Sequence, residues 1–202
     1  LSQVTTSSAN IVINTNRTAS YNSTGATVAF NTAGTFTFQP TVSTGFLSSG
    51  LNTVGYSFSS DCTGVTFGKD QSTDTFALTT PATAISIAGP IRLYAGSITT
   101  GANLSNTGNS AEILVKANTT ATISSAITAS GSGSNINIVA DQVAITAGIS
   151  AAGDVVAISP ISSARNIDLG AADSVSVLGL TDTELDNVTA ATLRIGDAVR
   201  SQ

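Results

Sequence analysis

Histidine, methionine and tryptophan are absent from this 202-residue chain, and cysteine occurs once. Without histidine the chain lacks the side chain that most often serves as a general base near neutral pH. The single cysteine, Cys62, excludes an internal disulfide and any metal site built from cysteines. We interpret Cys62 as a small buried apolar residue. An intermolecular bridge or a reactive thiol is the alternative.

Charge is also scarce, because only 9% of the residues are charged, against about 25% in ordinary soluble domains. Seven basic residues face twelve acidic ones, for a net charge of -5. No basic patch suited to a phosphate backbone is apparent, so nucleic acid is not a predicted partner. The surface must be covered by Ser, Thr, Asn and Gly, a composition that favours strands and is unusual in the cytosol.

Long apolar runs are missing as well. No stretch of about 18 apolar residues is present, so the chain is not predicted to span a membrane. It starts at Leu1, contains no methionine and shows no leader-like segment. We therefore expect a processed or excised portion of a longer product, with any export signal or anchor outside these residues.

What is present is a recurring unit of alternating apolar and small polar residues. Ile113 to Ile136 is 23 residues, and Ile136 to Val155 is 19. A repeat of this length marks a solenoid, in which each unit buries its apolar face only by stacking on its neighbours. The predicted fold is all-β, a parallel β-helix. Inward Ile, Val, Leu and Ala are expected to lie about 4.8 Å above like residues of the previous rung, with Ser and Asn stacked at the corners.

The pattern predicts two regions within one continuous solenoid. Residues 1–75 form an irregular β segment with widened rungs or a side lobe, and residues 76–202 form regular rungs. Bulky aromatic residues concentrate in the first region, where we predict a core that contains Phe46, Tyr56, Phe58 and Phe67. The only predicted helix is a short corner at 182–188, where acidic residues come early and a strand follows.

Three stretches resemble repeats of very large bacterial exoproteins of the filamentous haemagglutinin type. The matching residues run roughly from Val65 to Asp197 and are structural: Val65-Thr66-Phe67-Gly68-Lys69-Asp70; Gly89-Pro90-Ile91-Arg92-Leu93-Tyr94-Ala95-Gly96, continuing through Ile98, Ala102-Asn103-Leu104 and Glu112-Ile113-Leu114-Val115-Lys116-Ala117; and Leu180-Thr181-Asp182-Thr183-Glu184-Leu185-Asp186-Asn187-Val188 with Ala191-Thr192-Leu193-Arg194-Ile195-Gly196-Asp197. The resemblance implies a right-handed β-helix that is secreted and displayed at a bacterial cell surface. Such proteins serve in adhesion, aggregation and surface filaments.

Carboxylates raise the question of a metal site. Asp61, Asp70 and Asp74 are close in sequence, and calcium binds six to eight oxygen ligands. Their spacing matches neither an EF-hand loop nor the glycine-rich calcium nonapeptide. A second acidic group is formed by Asp182, Glu184 and Asp186. We interpret both groups as solvated surface charge and predict no metal and no cofactor.

An enzyme is the first alternative, because parallel β-helices also host polysaccharide-processing enzymes. Such chemistry needs charged side chains that converge in one groove. The charges of the regular region considered for such a groove are Arg92, Lys116, Asp141, Asp154, Arg165 and Asp168. Serine and threonine are plentiful, but no histidine can activate them. An aromatic platform for sugars is not predicted either, since Tyr21, Tyr56 and Tyr94 are the only tyrosines.

The sequence therefore predicts a non-catalytic structural or adhesive segment of a secreted bacterial surface protein, part of an extracellular rod or filament. Neither terminus shows a charged or proline-rich cap, so neighbouring modules or further copies of the chain are expected to cover the ends. A glycan or protein on a host or cell surface is the candidate adhesion partner. A second alternative is an antiparallel β-sandwich, a pilin-like filament subunit.

Overall fold

A computed structural model describes residues 3–14, 28–41, 51–52, 56–71, 74–79 and 83–196. Phe46 and Tyr21, named above, lie outside the described residues. The strands of the first half are β1 (Gln3–Thr5), β2 (Ile11–Asn14), β3 (Val28–Asn31), β4 (Thr35–Gln39), β5 (Leu51–Asn52), β6 (Tyr56–Phe58), β7 (Gly64–Phe67), β8 (Ala77–Thr79), β9 (Ile85–Ile87) and β10 (Ile91–Thr99). The second half contains β11 (Leu104–Asn106), β12 (Ile113–Ile123), β13 (Ile127–Ala129), β14 (Ile136–Val139), β15 (Gln142–Ile145), β16 (Ile149–Ser159), β17 (Asn166–Leu169), β18 (Val177–Leu180), helix α1 (Asp182–Leu185) and β19 (Val188–Ile195).

Every strand pair in the described residues is parallel, and most of the strands join one 14-stranded sheet. The chain winds through three faces. The first face follows the order β2, β4, β7, β10, β12, β14, β16, β19. The second face comprises β5, β8, the ends of β10 and β12, and β15. The third face runs through β9, β11, β13 and the beginnings of β16 and β19. The predicted parallel β-helix is confirmed, and the antiparallel sandwich is excluded for these residues.

Alternation within each strand builds the core. On the first face the inward positions stack in one column: Ile11, Phe36, Val65, Ile91, Ile113, Ile136, Val156 and Leu193. The six members from Phe36 to Val156 are each 0% exposed. Because burying one such side chain is worth roughly 1.5–3 kcal/mol, stability is distributed along the column instead of being concentrated at one point.

Aromatic rings fill the core of the early rungs. Phe36 lies 4.5 Å from Phe30 and 5.7 Å from Phe67, measured between ring centroids. Tyr56 and Phe67 are buried, and Phe58 packs against the core while remaining half-buried. The predicted aromatic core is confirmed for these three residues. Strands β7 and β10 pair directly across the boundary predicted at residue 75.

Buried polar side chains occupy the corners, where serine was predicted and threonine is found as well. Thr100 is fully buried, and its hydroxyl accepts hydrogen bonds from the backbone N–H groups of Ser124 and Ser125 at 3.0 and 3.1 Å. Ser134 is also buried, and its hydroxyl donates to Gly108 O at 2.6 Å. These bonds cross from one rung to the next, so the corners are tied together as well as the faces.

The rung that contains Val155 differs from the prediction by one residue. Ile136 pairs with Val156, which makes this rung 20 residues long, and Val155 pairs with Thr192 on the following strand. Val156 is fully buried, whereas Val155 is half-buried. Two adjacent valines leave the alternation ambiguous, and a shift of one residue exchanges the inner and outer faces.

Residues 160–187 leave the regular path between β16 and β19. Strands β17 and β18 pair there as a separate two-stranded parallel sheet. Leu178 and Leu180 of β18 are fully buried, and β18 lies against β15. Helix α1 is confirmed as a single short turn at the predicted corner, and β19 follows it.

This excursion caps the second face at β15. Asp173 accepts a hydrogen bond from the Val143 N–H at 2.7 Å, and Glu184 accepts one from the Ile145 N–H at 3.1 Å. The Asn187 amide donates to Ile145 O at 3.3 Å. Side chains thus satisfy the strand edge that a further rung would otherwise pair with.

Candidate functional site

The charges proposed for an enzymatic groove form separate ion pairs. Arg92 Nε lies 3.4 Å from Glu112 Oε2, and Lys116 Nζ lies 2.7 Å from Asp70 Oδ1. A third contact joins Arg165 and Asp141 at 3.8 Å. The first two pairs lie on the first face, and the third lies where the excursion begins.

The remaining two charges of that set also stand apart. Asp154 accepts hydrogen bonds from the N–H groups of Gly133 and Ser134 at 3.0 and 3.2 Å. Asp168 is exposed on β17. The set therefore does not assemble around one point, and structural partners are present for five of its six members: Arg92, Lys116, Asp141, Asp154 and Arg165.

Asp61, Asp70 and Asp74 occupy different environments. Asp61 and Asp70 are exposed, as the interpretation of solvated surface charge expects. That interpretation is wrong for Asp74, which is 3% exposed, because the chain folds it against the second face. Asp74 Oδ1 accepts a hydrogen bond from the Phe76 N–H at 2.8 Å, and burial raises the pKa of this carboxyl. Within the described residues, no three Asp, Glu, His or Cys side chains come together as a metal-binding group.

The acidic group at the helix has a local structural role. Glu184 and Thr181 form a reciprocal capping box, in which each side chain accepts from the other residue's backbone N–H at 3.0 and 3.4 Å. Asp182 and Asp186 are exposed. The Thr-x-x-Glu spacing of such a box is visible in the sequence. The hydrogen bond from the Ile145 N–H to Glu184 could not be predicted from the sequence, because the two residues are 39 positions apart.

Cys62 and Tyr56 are buried in the core, whereas Tyr94 is only half-buried. Cys62 is fully buried, which confirms its reading as a core residue, and burial raises the pKa of its thiol. Tyr56 is buried in the aromatic core. Tyr94 is half-buried on the outer side of the first face, where burial and then the negative charge of Asp70 raise the pKa of its phenol.

The outer side of the third face carries a column of hydroxyl groups. The register places one Ser or Thr on each of five successive strands: Ser86, Ser105, Thr128, Ser150 and Thr189. They alternate with inward residues such as Ile85 and Leu104, which are buried. This column is uncharged and follows the solenoid axis.

Two cavities lie at the corner where the third face turns into the first, and one of them is lined by Thr128 and Ser150 of this column. One has a volume of about 360 Å³ and is lined by 88–90, 92 and 109–112 together with Thr63. The other has a volume of about 400 Å³ and is lined by 128–132, 150 and 152–154. We call them together the corner groove.

Glycines make this corner concave. A Cβ atom on Gly131 would lie 2.0 Å from Gly108 O, and one on Gly108 would lie 1.8 Å from Ala88 O. Only glycine fits such a close approach of successive turns. Ser110, in the same wall, has a φ of 54° and is the one described non-glycine residue with positive φ. Such a conformation is strained and is concentrated at binding sites.

Sequence reasoning missed this groove because no motif marks it. The glycine and serine turns were visible, but their stacking at one corner depends on the lengths of the rungs between them.

The one described helix has four residues and is far shorter than a bilayer span, and no helix in the described ranges could cross a membrane. No protein-family model, no curated protein and no solved structure matches this chain.

Proposed function

We propose that this chain is a non-catalytic structural and adhesive segment of a secreted bacterial surface protein, and that it forms part of an extracellular rod or filament. The observation that carries the proposal is the unbroken first face, eight parallel strands in register from β2 to β19. Seven steps of about 4.8 Å give an axial length of roughly 34 Å. Stacked repeats of this kind determine an elongated shape and do not by themselves create a binding or catalytic site.

The non-catalytic part of the proposal is supported by the charge arrangement. The cationic groups Arg92, Lys116 and Arg165 each lie beside a carboxylate. Glycoside hydrolysis instead needs two carboxyl groups that face one bond. The bacterial surface and the secreted state rest on the resemblance of the quoted repeats to large exoproteins.

End-to-end contact is supported by the distribution of exposed apolar side chains. Among the described residues, the large hydrophobic side chains that are exposed are Val12, Ile167, Leu169, Val175 and Leu193. Val12 lies on the first strand of the first face, and Leu193 on its last strand. The other three belong to the excursion before β19. The described residues of the rungs between them expose none, so in this part of the chain the sides of the rod are polar and its ends are apolar.

Small-angle scattering and negative-stain imaging of the purified chain test the rod. We expect an elongated particle of uniform width, and a compact globule would refute the proposal. Adhesion is tested separately with beads coated with the chain, which should be retained on bacterial or epithelial cells while albumin-coated beads are washed away.

The end contact has its own variant. Leu193 is 39% exposed on the terminal strand, so Leu193→Asp should reduce self-association or docking to a neighbouring module in analytical ultracentrifugation. Leu114→Asp on the side of the rod is the matched control, because Leu114 faces outward on β12. If both variants and the parent chain associate equally, the end contact does not involve Leu193.

A further inference from the structure

The corner groove runs along the axis of the solenoid. Its two cavities lie on consecutive turns, which are joined by hydrogen bonds from Ser132 N to Asn109 Oδ1 at 3.0 Å and from Ser110 N to Ser132 O at 2.9 Å. The lining residues therefore repeat from rung to rung at the spacing of the strands, about 4.8 Å. An occupant that fills both cavities must be elongated and lie parallel to the rod.

The lining of the second cavity is rich in hydroxyl groups that are available to a ligand, and the first cavity adds Thr63 and Ser110. The hydroxyls of Thr128, Ser132 and Ser150 have no hydrogen-bond partner within the described residues. Ser130 donates to Asn106 O at 3.2 Å, and Thr63 donates to Ala33 O at 3.3 Å. A hydroxyl that donates in this way keeps its acceptor capacity. The groove thus offers both donors and acceptors to a partner that is itself rich in hydroxyls.

The charges of the groove are already neutralised or bound. Arg92 is paired with Glu112, and Glu112 also accepts from the Asn137 amide at 2.7 Å. Asp154 accepts hydrogen bonds from two backbone N–H groups of the preceding turn, those of Gly133 and Ser134. Arg92, Glu112 and Asp154 together leave a formal charge of -1. A polyanion would find no free cation here and would be repelled.

A peptide strand fits this groove poorly. Peptides that bind sheets in extended form pair with a free strand edge, whereas the groove crosses successive turns whose backbone groups already bond to one another, as Ser110 N does to Ser132 O. The absence of an aromatic ring from the lining also means that binding rests on hydrogen bonds. Affinity per repeat is then low, and repetition along the rod compensates for it.

We propose that the corner groove binds a linear, neutral polysaccharide that lies parallel to the solenoid axis. This inference rests on the proposed function, because the polysaccharide is then the adhesive partner of the rod. It names the chemical class of that partner, a neutral chain of hydroxyl-bearing sugars, and excludes sulfated and uronic acid polymers.

Two glycines provide a matched pair of variants. A Cβ atom at Gly153 or at Gly148 would meet nothing within 4 Å, and neither residue has a positive φ. Gly153 lines the groove, whereas Gly148 lies outside it. Gly153→Tyr should therefore obstruct the groove while the fold is preserved, and Gly148→Tyr adds the same side chain elsewhere.

The experiment is affinity electrophoresis of the whole chain through gels that contain dextran, mannan, soluble cellulose derivatives without charge, dextran sulfate or alginate. We expect retardation by at least one neutral polymer and none by the two anionic polymers. Gly153→Tyr should weaken that retardation at least tenfold, and Gly148→Tyr should leave it unchanged. As a second variant, Thr128→Val removes one hydroxyl at nearly constant volume and should weaken binding several-fold.

Retardation by the anionic polymers alone, by none of the polymers, or equally for both tyrosine variants would overturn the proposal. Circular dichroism and scattering of each variant show whether the rod is intact. A rod that binds no neutral polysaccharide refutes this inference and leaves the structural role standing. A compact particle refutes the proposed function, whatever it binds.

Discussion

Ile136 and Val156 face each other across β14 and β16, and each is fully buried between its neighbours in the first-face column. Val155, one residue earlier, is half-buried and pairs with Thr192. The two adjacent valines therefore lie on opposite sides of the sheet. This difference determines how strongly a charged substitution at each position affects folding.

Val156→Asp should prevent the cooperative folding of the solenoid, because it buries an unpaired charge within an apolar column. Val155→Asp should change the free energy of unfolding by less than about 1 kcal/mol, as outward substitutions usually do. Urea unfolding followed by circular dichroism measures both. The reverse order of severity would show that Val155 is the inward residue.

Truncation within the column should cost more in the middle of the rod than at its end. Ile113→Ala is expected to lower the free energy of unfolding by about 2–5 kcal/mol, the range for buried Ile or Leu to Ala. Leu193→Ala should cost clearly less, since Leu193 is 39% exposed. Equal losses in denaturant titrations would contradict the open end at β19.

Asp173 should stabilise the cap over β15. Its carboxylate accepts from the N–H groups of Val143 and Gly179 at 2.7 and 2.8 Å. Asp173→Ala leaves both donors without this partner, at about 1–3 kcal/mol for each donor that stays buried. Asp168→Ala, on the exposed strand β17, is the control and should be nearly neutral. Hydrogen exchange at Val143 gives a local reading, and unchanged protection there would count against the cap.

Asp74 predicts a pH dependence of stability. Burial raises its folded pKa above the ordinary value of 3.8. The folded state then holds its proton more tightly than the unfolded state, so this group favours folding most below that ordinary value. Its contribution falls as the pH rises through the folded pKa. Asp74→Asn should therefore be more stable than the parent chain at pH 7, and the difference should shrink towards pH 3. A difference that is constant from pH 3 to pH 7 would exclude this linkage.

Cys62 should be unreactive in the folded chain. It is fully buried, its pKa is raised by burial, and its Sγ donates to Gly64 O at 3.3 Å. The thiolate is the reacting species, so a disulfide reagent should modify Cys62 only in denaturant. Rapid modification of native protein at pH 7 would show that this part of the aromatic core opens.

The sequence alone determined the parallel stacking and the core residues of the strictly alternating strands. Strictly alternating segments around Ile113 and Ile136 carry this information locally, because period two assigns each side chain to one face of a strand and recurrence assigns each strand to a stack. The short helix at Asp182 could also be predicted from the sequence, because its acidic first turn is a local signal confined to a few residues.

The tertiary structure decided what depends on partners far apart in the chain. The capping bond from Val143 to Asp173 spans 30 residues, and the corner groove is formed by turns that lie a full rung apart. The inward position of Val156 likewise depends on its pairing with Ile136. Such contacts depend on the number of residues in each rung of the β-helix. That number varies from rung to rung, and no local sequence signal indicates it.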